Sequence, residues 1–234
     1  MTATTIAIEG SDGAGKATQT EMLVGHLLSQ GFNVGRVSFP RYNETSGGTL
    51  LHEYLKSARA GDYDFVNANP KLASRIYAQD RFESRGHLEK LIAENNFVIF
   101  DRYVESNLLH QGGKLKTDAE RSAFAEWLYA LEYGELGLPK PELTVYLNLP
   151  HTISRERALK RAKEKGEELD AVESNMEYVR NGWEAGRQYA AMFDWKIVDC
   201  IVPDEKSQLI ARYELTPDEI HAQLRDIVEK HTKK

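Results

Sequence analysis

The segment Gly10-Ser11-Asp12-Gly13-Ala14-Gly15-Lys16 constrains this chain more than any other. It follows a short apolar run, Ile6-Ala7-Ile8, and precedes Thr18 to Gln30, where Met22, Leu23, His26, Leu27 and Leu28 recur at helical spacing up to Gly31. A strand that turns through glycines into a helix aims several backbone N–H groups, and the positive end of the helix dipole, at one point. Glycine is needed because the backbone must turn tightly and approach the anion closely. The G-x-x-x-x-G-K spacing therefore assigns Gly10 to Lys16, with the following Ala17 and Thr18, to the triphosphate of ATP, Lys16 neutralising its terminal phosphates. Ala17 stands where the pattern usually has a hydroxyl that reaches magnesium. Thr18 lies about 100° further round the helix and does not replace it. A bound magnesium ion is expected to keep water in that place.

Further short runs resemble the first strand: Phe97 to Phe100, Leu143 to Leu147 and, more weakly, Val34 to Phe39 and Trp195 to Val198. Unbroken β-rich runs suit strands buried on both faces. Between them lie segments of helical character, including Pro70 to Glu94 and Thr117 to Leu136. Strands alternating with helices predict an α/β fold with a parallel sheet covered on both faces, and ligands at the carboxyl ends of its strands. Thr216-Pro217-Asp218-Glu219 predicts the start of a last helix, with Thr216 as N-cap. Lys160 to Asp170 is almost wholly charged, so it is expected as an exposed helix end or mobile loop.

A length of 234 residues suits a single domain spanning 1–234. A formal net charge of -6 removes the general basic field that would favour duplex nucleic acid or an acidic membrane surface. No apolar run approaches the roughly 18 residues that span a bilayer, and Met1 to Thr5 lack a secretory pattern. The lone cysteine, Cys200, has no internal partner and follows an apolar stretch, so a reducing, cytoplasmic setting and an inert buried thiol are expected.

The run from Ile8 to Gln19 resembles the opening of the thymidylate kinases. Asp101-Arg102-Tyr103 with Ser106 and Gln111-Gly112 is similar to that family's segment after the third strand. Leu138 to Leu147 is similar to its P-x-P-D-L strand, and Leu159 to Glu173 to its lid, with Asp170 and Glu173 at matching spacing. The resemblance implies a P-loop NTPase three-layer fold with five parallel strands, a lid near 157–173, a homodimer, and transfer of a phosphoryl group from ATP to dTMP with magnesium. It implies that Asp12 contacts the sugar 3′-hydroxyl or a magnesium water, that Arg41 holds the monophosphate, that Tyr77 stacks on thymine and that Arg81 bonds a base carbonyl. Asn107, His110, Ser106 and Gln111 join the acceptor site by their place in the same block, and Asp101 reaches magnesium, mostly through water. His110 departs from the family's usual aromatic near the sugar, and Asn107 is placed to donate to sugar or phosphate.

Elementary chemistry supports several of these roles. Arg102 follows a buried strand, and its planar fork matches a phosphate in two places. Tyr77 and Arg81 are four residues apart, so they share one helix face. An arginine donating to a carbonyl favours thymine or uracil over cytosine. Gly13 occupies the place where some family members carry an arginine, so the charge that steadies the transferring phosphoryl group is expected from the lid: Arg161 first, then Arg157. Two other readings stay open from sequence alone: a kinase for another nucleoside monophosphate or a deoxynucleoside, and a nucleotide-binding regulatory protein with little turnover.

Overall fold

The computed structural model describes residues 2–57, 66, 68–165, 175–204 and 207–233. Its centre is a five-stranded, all-parallel sheet of β1 (Thr4–Gly10), β2 (Val34–Ser38), β3 (Phe97–Asp101), β4 (Leu143–Asn148) and β5 (Lys196–Asp199), in the order β2-β3-β1-β4-β5. All five expected runs are strands. Their side chains alternate between two cores because successive residues of a strand point to opposite faces. Ile6, Ile8, Ile99, Val145 and Leu147 pack on one side with Leu23 and Leu27 of α1 (Lys16–Ser29). Ala7, Val98, Phe100 and Tyr146 pack on the other with Tyr103, Leu108 and Tyr189.

Two long helical segments are subdivided. Pro70 to Glu94 breaks at Ser84 into α3 (Pro70–Glu83) and α4 (Arg85–Glu94), behind α2 (Ser46–Ser57). Ser84 ends one helix and begins the next, and its hydroxyl donates back to the Asp80 carbonyl at 2.8 Å. Beyond β3 and α5 (Glu105–His110), the second segment forms α6 (Asp118–Tyr129), which starts in a capping box of Thr117 and Glu120. It then widens into a π-helical turn, Ala130–Glu135.

Helix α7 (His151–Lys165) leaves β4, and α8 (Met176–Met192) leads back to β5. Lys160 to Lys165 thus belong to a helix, while Asp170, Glu173 and the rest of the expected lid beyond 165 lie outside the described residues. An antiparallel hairpin, β6 (Ile201–Asp204) and β7 (Ser207–Glu214), was not anticipated. The last helix, α9 (Pro217–Thr232), begins at the Thr216 cap as expected, with Glu219 completing a capping box. Cys200 is fully buried, and burial pushes its thiol up to about 12, as an inert thiol requires. Among the described residues no helix is long and apolar enough to cross a membrane.

Central strand β1 pairs with β3 on one side and β4 on the other, and Ile8 stands opposite Asp101. The loops leaving β1 and β3 therefore emerge side by side at the carboxyl edge of the sheet, where the order of strands reverses and ligands collect.

Candidate active site

The loop after β1 forms as its glycines require. Gly10, Gly13 and Gly15 all have positive φ. A Cβ on Gly10 would stand 2.8 Å from the carbonyl oxygen of Leu147, so the neighbouring strand leaves room there for glycine alone. Helix α1 starts immediately after Gly15, at φ 91°, which turns its first N–H groups into the loop. The Lys16 ammonium lies inside, donating to the carbonyls of Gly10 and Ser11 at 2.9 Å each and standing 3.8 Å from Asp12 Oδ1. Burial and the nearby Arg102 pull its pKa down to about 8, opposed by Asp12, Glu9 and Asp101.

A cavity of about 520 Å³ opens over this loop. Gly13 to Thr18, Asp101, Arg102 and Arg157 line it, together with Leu215, Pro217 and Ile220 at the start of α9. Arg157 of α7 donates from Nη1 to the Gly13 carbonyl at 2.8 Å, while Glu214 of the hairpin accepts from its Nη2 at 2.6 Å. Of the two arginines expected to serve the loop, Arg157 is the one whose side chain is described, and it stands against Gly13. Arg161 lies four residues further along the same helix, and its side chain is outside the described residues.

A second cavity, of about 360 Å³, lies alongside. Tyr77 and Arg81 reach it from α3, Ser106, Asn107 and His110 from α5, and Phe39 from the end of β2. Asp12 and Arg102 line both cavities and are ion-paired, making a shared wall. Arg102 has φ 65°, a left-handed conformation that costs a non-glycine residue of order 1–3 kcal/mol and is concentrated at functional sites. Burial opposes the Asp12 charge, but Arg102 and then Lys16 outweigh it and hold the carboxyl well below the usual range. Arg102 is in turn held protonated against burial by Asp12 and Glu9.

His110 completes a chain across this wall. Its Nε2 lies 3.3 Å from Arg102 Nη1 and its Nδ1 lies 3.2 Å from the Tyr178 hydroxyl. Burial lowers its pKa to about 4, against the pull of Asp12, so the ring is neutral near pH 7. A neutral ring accepting from Arg102 at Nε2 carries its hydrogen on Nδ1 and donates to Tyr178.

Two expected residues, Arg41 and Gln111, lie off the acceptor cavity wall, and two others, Asn107 and Ser106, line it with polar groups engaged by neighbouring acids. Arg41 is absent from the acceptor cavity wall: its guanidinium bonds the Ser84 hydroxyl at 3.1 Å and pairs with Glu44. Gln111 is buried and lines neither cavity. Asn107 lies in the cavity wall, but its amide nitrogen faces Glu132 rather than standing free for sugar or phosphate. Ser106 also lies there, with its hydroxyl donating to Glu9 at 2.6 Å.

Sequence reasoning missed Tyr178, which no motif marks, and three buried acids. Glu9 accepts from the Tyr103 amide at 2.7 Å, Glu105 accepts from the Tyr133 hydroxyl at 2.6 Å, and Glu132 forks onto Arg81. Their signal was weak because an isolated Glu in a sequence reads as surface. Glu9, inside the opening segment itself, was the one within reach.

The fold and the glycine loop define a P-loop nucleotide-binding protein, with a second ligand cavity set against the loop. The thymidylate kinase family profile matches residues 8–200, and the chain belongs to that family. It is 33% identical to a thymidylate kinase of Mycobacterium tuberculosis over 173 residues, covering 74% of this chain and 78% of that one. A thymidylate kinase of Schizosaccharomyces pombe is 25% identical over 224 residues, covering 95% and 90%. The solved thymidylate kinase of Candida albicans has the same fold, with a TM-score of 0.68 at 22% identity over 99% of this chain and 93% of that one.

Proposed function

We propose that the chain, as one domain over 1–234, transfers the terminal phosphoryl group of ATP to dTMP, giving ADP and dTDP. The observation that carries this is the shared wall: Asp12 and Arg102 separate a phosphate-loop cavity from one lined by an aromatic and an arginine a helical turn apart. Phosphoryl transfer needs two nucleotides end to end, and positioning with charge stabilisation supplies most of the catalysis.

Lys16 and the loop amides hold the donor phosphates. Arg102 holds the acceptor phosphate, and Arg41 joins it when its pair with Glu44 opens. Asp12 orients Arg102 towards the reacting oxygens. Tyr77 stacks on the base, and Arg81 donates to its carbonyl. Arg157 and Arg161 bring positive charge from the lid helix to the transferring group. The acceptor oxygen is already anionic, so no general base is required.

Magnesium suits this donor set, since it takes one or two carboxylates and completes its shell with phosphate and water. Asp101 and Asp12 both face the loop cavity, while Ala17 presents no hydroxyl there. These carboxylates would hold the ion mostly through water, and it would neutralise charge on the donor phosphates. The family resemblance supports a homodimer, and the lone, buried Cys200 supports a reducing, cytoplasmic setting.

A coupled ADP-release assay with dTMP, dUMP, UMP, CMP and thymidine as acceptors tests the reading. A clear preference for dTMP is expected. Equal or better use of the cytosine nucleotide would overturn the assignment.

A further inference from the structure

We propose that Glu132, which takes no part in the cavity wall, is the positioning residue that fixes which pyrimidine edge the acceptor site accepts. The inference rests on the pyrimidine-monophosphate reading of that cavity and assigns its selectivity to a residue behind it.

Glu132 sits in the π-helical turn Ala130–Glu135 and is completely buried. Such turns are rare, and they often mark functional sites. Its Oε2 accepts from Arg81 Nε at 2.5 Å, and its Oε1 accepts from Arg81 Nη2 at 2.6 Å. The same Oε1 lies 3.4 Å from Asn107 Nδ2. One carboxylate therefore takes donors from α3 and α5 together, the two helices that line the cavity with Arg81 and Asn107.

Each contact has a consequence inside the cavity. The forked pair fixes the plane of the Arg81 guanidinium, which as a side chain without acceptors offers only donors. A primary amide has one donor end and one acceptor end. With its nitrogen on Glu132, Asn107 is left with its oxygen for the cavity. Reversing the amide would set that oxygen against the carboxylate, lone pair against lone pair. A fixed donor beside a fixed acceptor matches thymine or uracil, whose O4 accepts and whose N3–H donates. Cytosine presents the opposite pair, an N4 amino donor and an N3 acceptor. Buried ion pairs are weak stabilisers compared with apolar packing. A fully buried pair at this point is thus better accounted for by orientation than by stability.

The test compares kcat/KM for dTMP and dCMP in the wild type, Glu132→Gln and Tyr133→Phe, with ATP affinity and Tm measured alongside. Glutamine cannot accept from Arg81 and Asn107 together without turning its own amide hydrogens on one of them. Glu132→Gln should lower the dTMP-to-dCMP ratio at least about tenfold, mainly through KM for dTMP, with kcat within about threefold and ATP affinity within about twofold. Tyr133→Phe loosens the same turn at its bond to Glu105 and should lower Tm while leaving the ratio within about twofold.

An unchanged ratio in Glu132→Gln, or an equal fall in Tyr133→Phe, overturns the proposal while leaving the dTMP reading intact. A wild type without preference for dTMP overturns both. Should Glu132→Gln fail to fold, Arg81→Met combined with Glu132→Leu buries no unpaired charge and should fold, bind ATP normally and show a ratio near one. Retained preference in that double variant would also refute the role assigned here.

Discussion

ATP affinity should fall as pH rises through about 8, because the lysine that grips the triphosphate starts with a weakened hold on its proton. Lys16 is buried, lies beside Arg102 and is pulled from its ordinary 10.5 to about 8. Phosphate oxygens placed against it restore the charged form, so ATP binds the protonated enzyme more tightly. Below about pH 7 Lys16 is charged in both states and affinity is flat. At pH 9 only roughly a tenth of the free enzyme carries the charge, a loss of about tenfold or 1.4 kcal/mol. The loss levels off near the ordinary lysine value, at a ceiling of about 300-fold for the interval from 8 to 10.5. Calorimetric titration of ATP at fixed magnesium from pH 7 to 9.5, in buffers of different ionisation enthalpy, would show the fall and the matching proton uptake. Lys16→Met should bind about 1.5–3 kcal/mol more weakly at pH 7 and lose the slope. A flat wild-type profile, or the same slope in Lys16→Met, would refute the reasoning.

Three further outcomes follow from the same geometry. Tyr77→Ala removes the aromatic platform and should raise KM for dTMP by about 5–150-fold, the equivalent of 1–3 kcal/mol of stacking, with KM for ATP unchanged in steady-state kinetics. Ala17→Ser restores a hydroxyl at the loop cavity and should lower the magnesium concentration for half-maximal rate several-fold; no change in a magnesium titration would place the ion elsewhere. Burial, then Glu9, raises Glu105 from 4.5 to about 7, so the folded chain keeps a proton that the unfolded chain releases, and stability present below about pH 4.5 is lost as pH rises through 7. Glu105→Gln should remove that loss, gaining about 2–3 kcal/mol over the wild type at pH 8 in urea melts and little at pH 4.5.

The sheet and the phosphate loop could be read because their causes are local. Unbroken apolar runs at Ile6, Phe97 and Leu143 mark strands buried on both faces, and the glycines at 10, 13 and 15 supply the backbone freedom the loop uses. The cap at Thr216 is a four-residue pattern, and it formed as written. What escaped depends on distant partners. Arg81 and Glu132 are 51 residues apart, and neither reveals the other until the fold joins them. Tyr178 gains its place only when α8 packs across His110. The β6–β7 hairpin hid behind Pro203, which interrupts a strand pattern and coincides with an irregular register. Arg41 lies three residues after β2, and its side chain turns to Ser84 and Glu44.

The central claim is that two nucleotides meet end to end across Asp12 and Arg102. It is tested most directly by titrating the chain with adenosine and thymidine joined through five phosphates. The account predicts one molecule per chain, an affinity at least about a hundredfold above that of ATP or dTMP alone, and loss of binding for both. Two molecules per chain, or an affinity no better than that of ATP, would contradict it.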